Sequence, residues 1–224
     1  NPSFWDTYRN KLILLGMITP DVASDIIRSC IDRGELHGGY MPTFFHGDHA
    51  STFVSGSWLR GIRDFDLQRA YALMLKSATV PGRGGRPYLS EYLERGWISE
   101  KDTVNVPTGD EYKGSVTKTV EYAYDDYATA LVARELKDKK NEKLLMQNSQ
   151  NYKNLFDLYI NNSTCAKSEL GNKTVNDSMA EFAKGECAMV QNGNWAWGQI
   201  SETEGNVVTE DNCKYMPMYT GVAG

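Results

Sequence analysis

The chain has 224 residues, enough to bury the core of one large domain or two small ones. Hydrophobic residues make up 41% of the sequence and charged residues 24%, a composition typical of globular proteins. The net charge of −5 gives no electrostatic reason to expect nucleic acid or an anionic membrane as a partner. No apolar run approaches the roughly 20 residues that span a bilayer, and no secretion signal is visible.

Helical patterns dominate the first two-thirds of the chain. Thr19 and Pro20 form a typical helix start, and apolar residues recur at helical spacing from there to Gly34. Five more helices are predicted over residues 50–60, 64–74, 88–95, 115–136 and 141–156. The glycine- and proline-rich segment 80–87 is interpreted as a turn between two of these helices. No strand pattern interrupts them, so we expect an all-α architecture, with Asp64 as the cap of the second of these five helices.

The character of the sequence changes near residue 157. Short helical patterns over 175–184 and 188–200 are followed by strand-like stretches around Val207 and over 215–218. This mixture predicts a small α/β fragment. We therefore expect a mainly α part over residues 1–157 and a second part over residues 158–224.

The four cysteines give little evidence of a metal site. Cys30, Cys165, Cys187 and Cys213 form no C-x-x-C pair and have no histidine at the spacing of a zinc site. Buried thiols are the default interpretation, and a Cys187–Cys213 disulfide is the alternative if this segment is exported.

Aromatic residues make up 11% of the chain, with five Trp and thirteen Tyr. Sugar sites favour such rings because the apolar face of a pyranose packs on an aromatic plane while its hydroxyls seek polar partners. Large cores also use aromatic residues, so this observation alone does not separate the two interpretations.

The first candidate site segment is FWDTYR, residues 4–9. Trp5 offers a stacking plane, Asp6 can accept from a pair of sugar hydroxyls, and Arg9 donates as a rigid fork. The alternative is a core tryptophan beside a surface Asp–Arg pair.

The second candidate is the loop that ends in FHGDH, where His46, Asp48 and His49 lie within four residues. Three ligands so close together make a poor cage for a transition metal, so polar contacts to a substrate fit better. The alternative is that Asp48 only caps the helix beginning near Ala50.

The third candidate is TVEYAYDDY, residues 119–127. Glu121 and Asp125 are four residues apart and share one helix face, among tyrosines. Ionising both carboxyl groups so close together is unfavourable, so we expect the pKa of one of them to rise. A carboxyl group with a raised pKa suits the general acid of a glycosidase. The alternative is a solvated acidic face.

Five segments follow one another along this chain: FWDTYR, GGYMPTFFHGDHAS, W-x-x-G-x-x-x-FD, TVEYAYDDY and NYKNLFD. In this order they resemble the catalytic domain of glycoside hydrolase family 92, the exo-acting α-mannosidases, over residues 1–157. The resemblance implies part of an (α/α)6 barrel, inversion of the anomeric configuration, and a calcium ion that contacts the 2- and 3-hydroxyls of the sugar. It also implies that Glu121 is the catalytic acid, so we expect the raised pKa at Glu121. The residues it implies around the reacting mannose are Trp5, Asp6 and Arg9, with His46, Asp48 and His49 nearby.

Two segments that the family resemblance implies are absent from this sequence. One is E-G-N-x-W-Q, which helps to hold calcium, and the other is the Gly-Asn-Asp-Asp segment that supplies the general base. An inverting mechanism needs both base and acid, about 6.5–9.5 Å apart. We therefore expect no metal ligands within this chain and no turnover by the 224-residue chain alone.

Residues 155–224 resemble the sugar-binding proteins of bacterial ABC importers, the maltose-binding class. The residues that match the run F-x-x-G-x-x-A-M-x-x-N-G-x-W-A-W are Phe182, Gly185, Ala188, Met189, Asn192, Gly193, Trp195, Ala196 and Trp197. The resemblance implies that Trp195 is the stacking ring of a ligand cleft. It also indicates that the chain is chimeric or fragmentary.

The sequence therefore leaves three functions open. An α-mannosidase fragment is the first interpretation, a periplasmic or lipoprotein sugar-binding component of a transporter is the second, and a chimera without function is the third. The first two predict contact with α-mannosides or other oligosaccharides outside the cytoplasm, in the periplasm or at the cell surface.

Overall fold

A computed structural model describes residues 3–99, 114–161, 163, 165–190, 192 and 196–214 of the chain. The chain divides into two compact units, Asn1–Leu155 and Phe156–Gly224. This division lies close to the predicted change of character at residue 157. The separate origin that the sequence suggests for residues 158–224 stays a prediction.

The first unit is built from helices. Their bounds are α1 (Phe4–Thr7), α2 (Lys11–Ile18), α3 (Pro20–Leu36), α4 (Ala50–Leu59), α5 (Leu67–Thr79), α6 (Leu89–Arg95), α7 (Ser115–Glu135) and α8 (Lys139–Asn148). A further helix, α9 (Lys153–Asn161), contains the point of division between the units. The prediction of a mainly helical fold is confirmed.

Most of the predicted helices are present, with two corrections at their ends. Asp66, not Asp64, caps α5, since its side chain accepts from the backbone N–H of Arg69 at 3.0 Å. Asp64 instead pairs with Arg28. The helix predicted over 141–156 is broken, because residues 149–152 form turns between α8 and α9.

Helices α4 and α7 lie at the centre of the first unit. Helix α7 packs against α4, α5 and α8, and α3 packs against α2, α4 and α5. Seven of the ten residues of α4 are buried, and most of these have small side chains, which lets neighbouring helices approach closely. Helix α7 also buries polar residues, among them Glu121, Asp125 and Asp126. The polar groups of the candidate site therefore lie inside the helical core.

The second unit contains α10 (Val175–Ala183), α11 (Trp197–Ser201) and a 3-10 helix over Lys167–Asn172. Its described residues include no strand, so the expected strand around Val207 is wrong. The side-chain amides of Asn206 and Asn212 donate to the backbone carbonyls of Val208 and Val207, respectively. These local hydrogen bonds take the place of those that a neighbouring strand would make. Residues 188–190 are also not helical. The strand predicted over 215–218 lies outside the described residues.

Within the described part of the chain, no helix is both long and apolar enough to cross a membrane.

Candidate active site

Four side chains from two segments of the first unit, residues 5–9 and His49, meet at the carboxylate of Glu121. Its Oε1 accepts from Trp5 Nε1 at 3.0 Å and from Arg9 Nη2 at 2.8 Å. Its Oε2 lies 2.8 Å from His49 Nε2 and 3.5 Å from the hydroxyl of Tyr8. Residues 112 and 72 positions away in sequence thus converge on one carboxyl group.

Short elements hold these side chains in place. Helix α1 carries Trp5 and is anchored by Phe4, whose ring stacks on Phe53 of α4 at 6.2 Å. Tyr8 follows α1 and stacks on the imidazole of His49 at 4.8 Å. His49 is the residue immediately before α4, so the start of that helix fixes its position. The site is therefore assembled from α1, the start of α4, and α7.

The environment of Glu121 favours its ionised form. Its side chain is only 8% exposed, and burial alone would raise the pKa. Hydrogen bonds from His49 and Trp5, with the charges of His49 and Arg9, outweigh burial and lower the pKa of Glu121 below its ordinary value. The expectation of a raised pKa at Glu121 is therefore wrong, because three donors converge on this carboxylate.

The raised pKa belongs to Asp125, one helical turn further along α7. Complete burial is the largest cause, and the nearby negative charge of Asp48 adds to it, so the pKa of Asp125 rises well above its ordinary value. Oδ2 of Asp125 accepts from the backbone N–H of Asp48 at 2.9 Å. Its Oδ1 is buried and has no hydrogen-bond partner among the described residues. One of the two acids on this helix face therefore has a raised pKa, as expected, but it is Asp125 and not Glu121.

A wholly buried ionic network lies beside Asp125. The guanidinium of Arg86 donates from Nε to Asp48 Oδ1 at 2.5 Å and from Nη1 to Asp126 Oδ1 at 2.6 Å. The side chains of all three residues are 0% exposed. Ser51 donates to the other oxygen of Asp48, and Tyr92 donates to the other oxygen of Asp126. Arg86 thus joins the loop before α4 to helix α7.

Comparison with known proteins decides the family. The family model described as "Glycosyl hydrolase family 92 catalytic domain" matches residues 1–213. The chain belongs to glycosyl hydrolase family 92. The match includes the candidate site and most of the second unit.

Solved structures of family 92 share the fold of about 70% of this chain. The inverting mannosidase BT2199 from Bacteroides thetaiotaomicron VPI-5482 is 24% identical, with a TM-score of 0.60 over 69% of this chain and 21% of that one. The α-mannosidase BT3965 from Bacteroides thetaiotaomicron is 26% identical, with a TM-score of 0.60 over 70% of this chain and 21% of that one. Our chain therefore spans about a fifth of the length of these enzymes, and its helices are similar to part of their fold.

A curated relative is also a glycosidase. A protein of Arthroderma benhamiae described as "Uncharacterized secreted glycosidase" is 32% identical over 118 residues, which are 49% of this chain and 14% of that protein. Membership of family 92 thus relates this chain to glycosidases, of which it spans a small part.

The structure brings together only part of the site predicted for this family 92 chain. Trp5, Arg9 and His49 contact Glu121, and the ring of His46 packs edge-on against Trp5 at 5.0 Å. Asp6 does not join them, since it is exposed and accepts from Ser3 at 2.5 Å.

Two other predicted site residues differ from expectation or cannot be placed. Asp48 is fully buried, and its carboxylate is occupied by Arg86 and Ser51, so it does not face a substrate. The helix beginning at Ala50 is preceded by His49 and has no side-chain cap, so Asp48 is not its cap either. Trp195 lies outside the described residues.

Sequence reasoning did not single out Arg86, Asp126 or Tyr8. Asp126 and Tyr8 lie within motifs that the sequence analysis quoted, and Arg86 lies in a segment, 80–87, interpreted only as a turn. No local sequence signal marked Arg86, because its carboxylate partners Asp48 and Asp126 are 38 and 40 residues away. Buried arginines are almost always paired, but the sequence does not show that Arg86 is buried.

The described residues do not fit a calcium site. No group of three or more histidine, cysteine, aspartate or glutamate side chains is arranged to hold a metal among them. The buried carboxylates of Asp48 and Asp126 hold the guanidinium of Arg86, which already neutralises part of their charge.

Proposed function

We propose that this chain carries the acid side of the active site of an exo-acting, inverting α-mannosidase. The observation that supports it is the convergence of Trp5, Arg9 and His49 on the buried carboxyl of Glu121. Glu121 is the general acid, Trp5 packs against the sugar, and Arg9 binds its hydroxyls. His46, whose ring packs against Trp5, lines the edge of the same subsite.

Glu121 must take up a proton before it can act as an acid, because its three donors favour the carboxylate. Arg9 is the donor with most freedom to leave, since its side chain is 57% exposed, whereas that of His49 is 1% exposed. A sugar hydroxyl that draws Arg9 away would remove a positive charge and raise the pKa of Glu121. Binding of the substrate would thus favour the protonated form of Glu121, which cleavage of that substrate requires.

Family membership leads to three finer proposals. The substrates are α-mannosides, the reaction depends on calcium, and the enzyme works outside the cytoplasm, like the relative described as secreted. The calcium ligands and the general base would come from residues other than those described here.

The proposal for the second unit is separate. Residues 155–224 resemble sugar-binding proteins in the run that contains Trp195, and we propose that this ring stacks on a sugar. This rests on the sequence pattern, because Trp195 lies outside the described residues.

The test of the acid is Glu121→Gln in the whole gene product that contains these 224 residues. Glutamine keeps the shape of the side chain but has no proton to transfer. We expect kcat to fall by about 10²–10⁴ on α-mannosides with poor leaving groups. The loss should be much smaller on an activated aryl α-mannoside, whose leaving group needs little protonation.

The matched control is Glu135→Gln, at an exposed glutamate on the same helix, which should leave both rates unchanged. Equal losses on the two substrates in the Glu121→Gln protein would show that Glu121 binds the sugar or supports the site and does not protonate the leaving group. The 224-residue chain alone is expected to release no mannose, and calcium-dependent release from an aryl α-mannoside would contradict that expectation.

A further inference from the structure

Arg86 is placed close to the active site without touching it. It lies in the segment between α5 and α6, and its guanidinium is 0% exposed. It bonds Asp48 on one side and Asp126 on the other, and it lies 5.1 Å from the centre of the ring of Tyr122. None of its hydrogen bonds within the described part of the chain reaches Glu121.

The loop that carries His49 is attached to α7 at two points. The side chain of Asp48 reaches Asp126 through Arg86, and its backbone N–H donates directly to Asp125. Gly47 makes this close approach feasible, because a Cβ there would lie 2.4 Å from Asp125 Oδ2. Since His49 is the next residue after Asp48, these attachments set the distance from its imidazole to Glu121.

Stability alone does not explain why an arginine occupies this position. Removing a guanidinium and two carboxylates from water is costly, and buried ion pairs can often be replaced by apolar residues without loss of stability. Such networks can instead specify one geometry, as buried polar groups do in some other proteins. The geometry that Arg86 fixes is the position of the loop next to the acid.

We propose that Arg86 is a positioning residue of the active site, which clamps Asp48 to α7 and so holds His49 in hydrogen-bond contact with Glu121. It acts through Asp48 and touches no substrate. Its importance for catalysis rests on the proposed role of Glu121, but the positioning itself does not. The first test therefore measures geometry in the 224-residue chain, without any activity.

The test compares Arg86→Met with Arg86→Lys and with Arg83→Met, which alters an exposed arginine of the same segment. The readouts are the imidazole ¹⁵N signals of His49 and the ¹³C titration of the Glu121 carboxyl, with circular dichroism to verify folding. The chain has three histidines, so assignment is simple. In Arg86→Met we expect the hydrogen-bonded Nε2 signal of His49 to be lost and the pKa of Glu121 to rise. Lysine should restore part of both signals, and Arg83→Met should change neither.

A folded Arg86→Met protein with unchanged His49 and Glu121 signals would overturn the proposal. If that protein does not fold, Asp126→Asn takes its place, because it removes one anchor of Arg86 and keeps the volume. A shift of both signals in the same direction supports the proposal, and unchanged signals overturn it.

The kinetic consequence is measured in the whole gene product. A displacement of about 1 Å in a catalytic group costs on the order of 10²-fold in rate, so Arg86→Met should lower kcat strongly and change KM little. If the spectra change as expected while kcat does not, the positioning holds and the contact between His49 and Glu121 is not required for catalysis.

Discussion

The substitution Asp125→Asn tests whether the buried carboxyl beside the active site carries a proton in the folded protein. Asp125 is fully buried and lies next to the ionised Asp48, and both effects raise its pKa. Asparagine has the shape of a protonated aspartate and still accepts from the backbone N–H of Asp48. We expect Asp125→Asn to fold like the wild-type protein.

The magnitude follows from proton linkage. A carboxyl whose pKa is raised by folding stabilises the protein below its unfolded pKa of 3.8, and this contribution is lost as pH rises towards the folded pKa. In that window the wild-type protein loses about 1.4 kcal/mol per pH unit relative to Asp125→Asn, since each pKa unit corresponds to about 1.36 kcal/mol. Asparagine has no such titration, so the variant gains in relative stability as pH rises.

The assay is urea unfolding of both proteins at several pH values between about 4.5 and 8, followed by circular dichroism. Asp126→Asn is the matched control, because it makes the same chemical change at the next residue. Burial raises the pKa of Asp126 only to about 6, since Arg86 opposes the rise. The stability difference for Asp126→Asn should therefore stop changing near pH 6, while that for Asp125→Asn continues to change.

A stability difference between wild type and Asp125→Asn that stays constant across this pH range would refute the reasoning. It would mean that Asp125 is ionised in the folded protein. The same pH dependence for both variants above pH 6 would show that the proton is not held preferentially by Asp125.

Three further changes test other parts of the molecule. Gly47→Ala places a Cβ 2.4 Å from Asp125 Oδ2, so it should lower the free energy of unfolding by about 1–3 kcal/mol, measured by urea unfolding. Arg9→Gln removes a positive charge and should raise the pKa of Glu121, measured by ¹³C titration, and an unchanged pKa would contradict the proposed role of Arg9. Thr174→Ala removes a capping box from α10 and should cost about 1 kcal/mol, seen as faster amide exchange within α10.

The sequence by itself determined most of the helices and the segments that form the site. Helix periodicity and capping are local properties, so Pro20 could mark the start of α3 and the pattern beginning at Ser115 could predict α7. The order of motifs pointed to family 92, and the family model now matches residues 1–213. Local patterns were weaker in the second unit, where asparagine side chains near Val207 satisfy backbone groups that a strand would have used.

Only the tertiary structure decided the charge state of each acid. Glu121 and Asp125 are equivalent in the helical pattern, yet Glu121 meets donors from Trp5 and His49, whereas Asp125 is enclosed beside another carboxylate. These neighbours are distant in sequence, and electrostatic interactions depend on distance in space and on burial. For the same reason Arg86, in a segment read from sequence only as a turn, was recognisable as the link between the loop and α7 only in the folded chain.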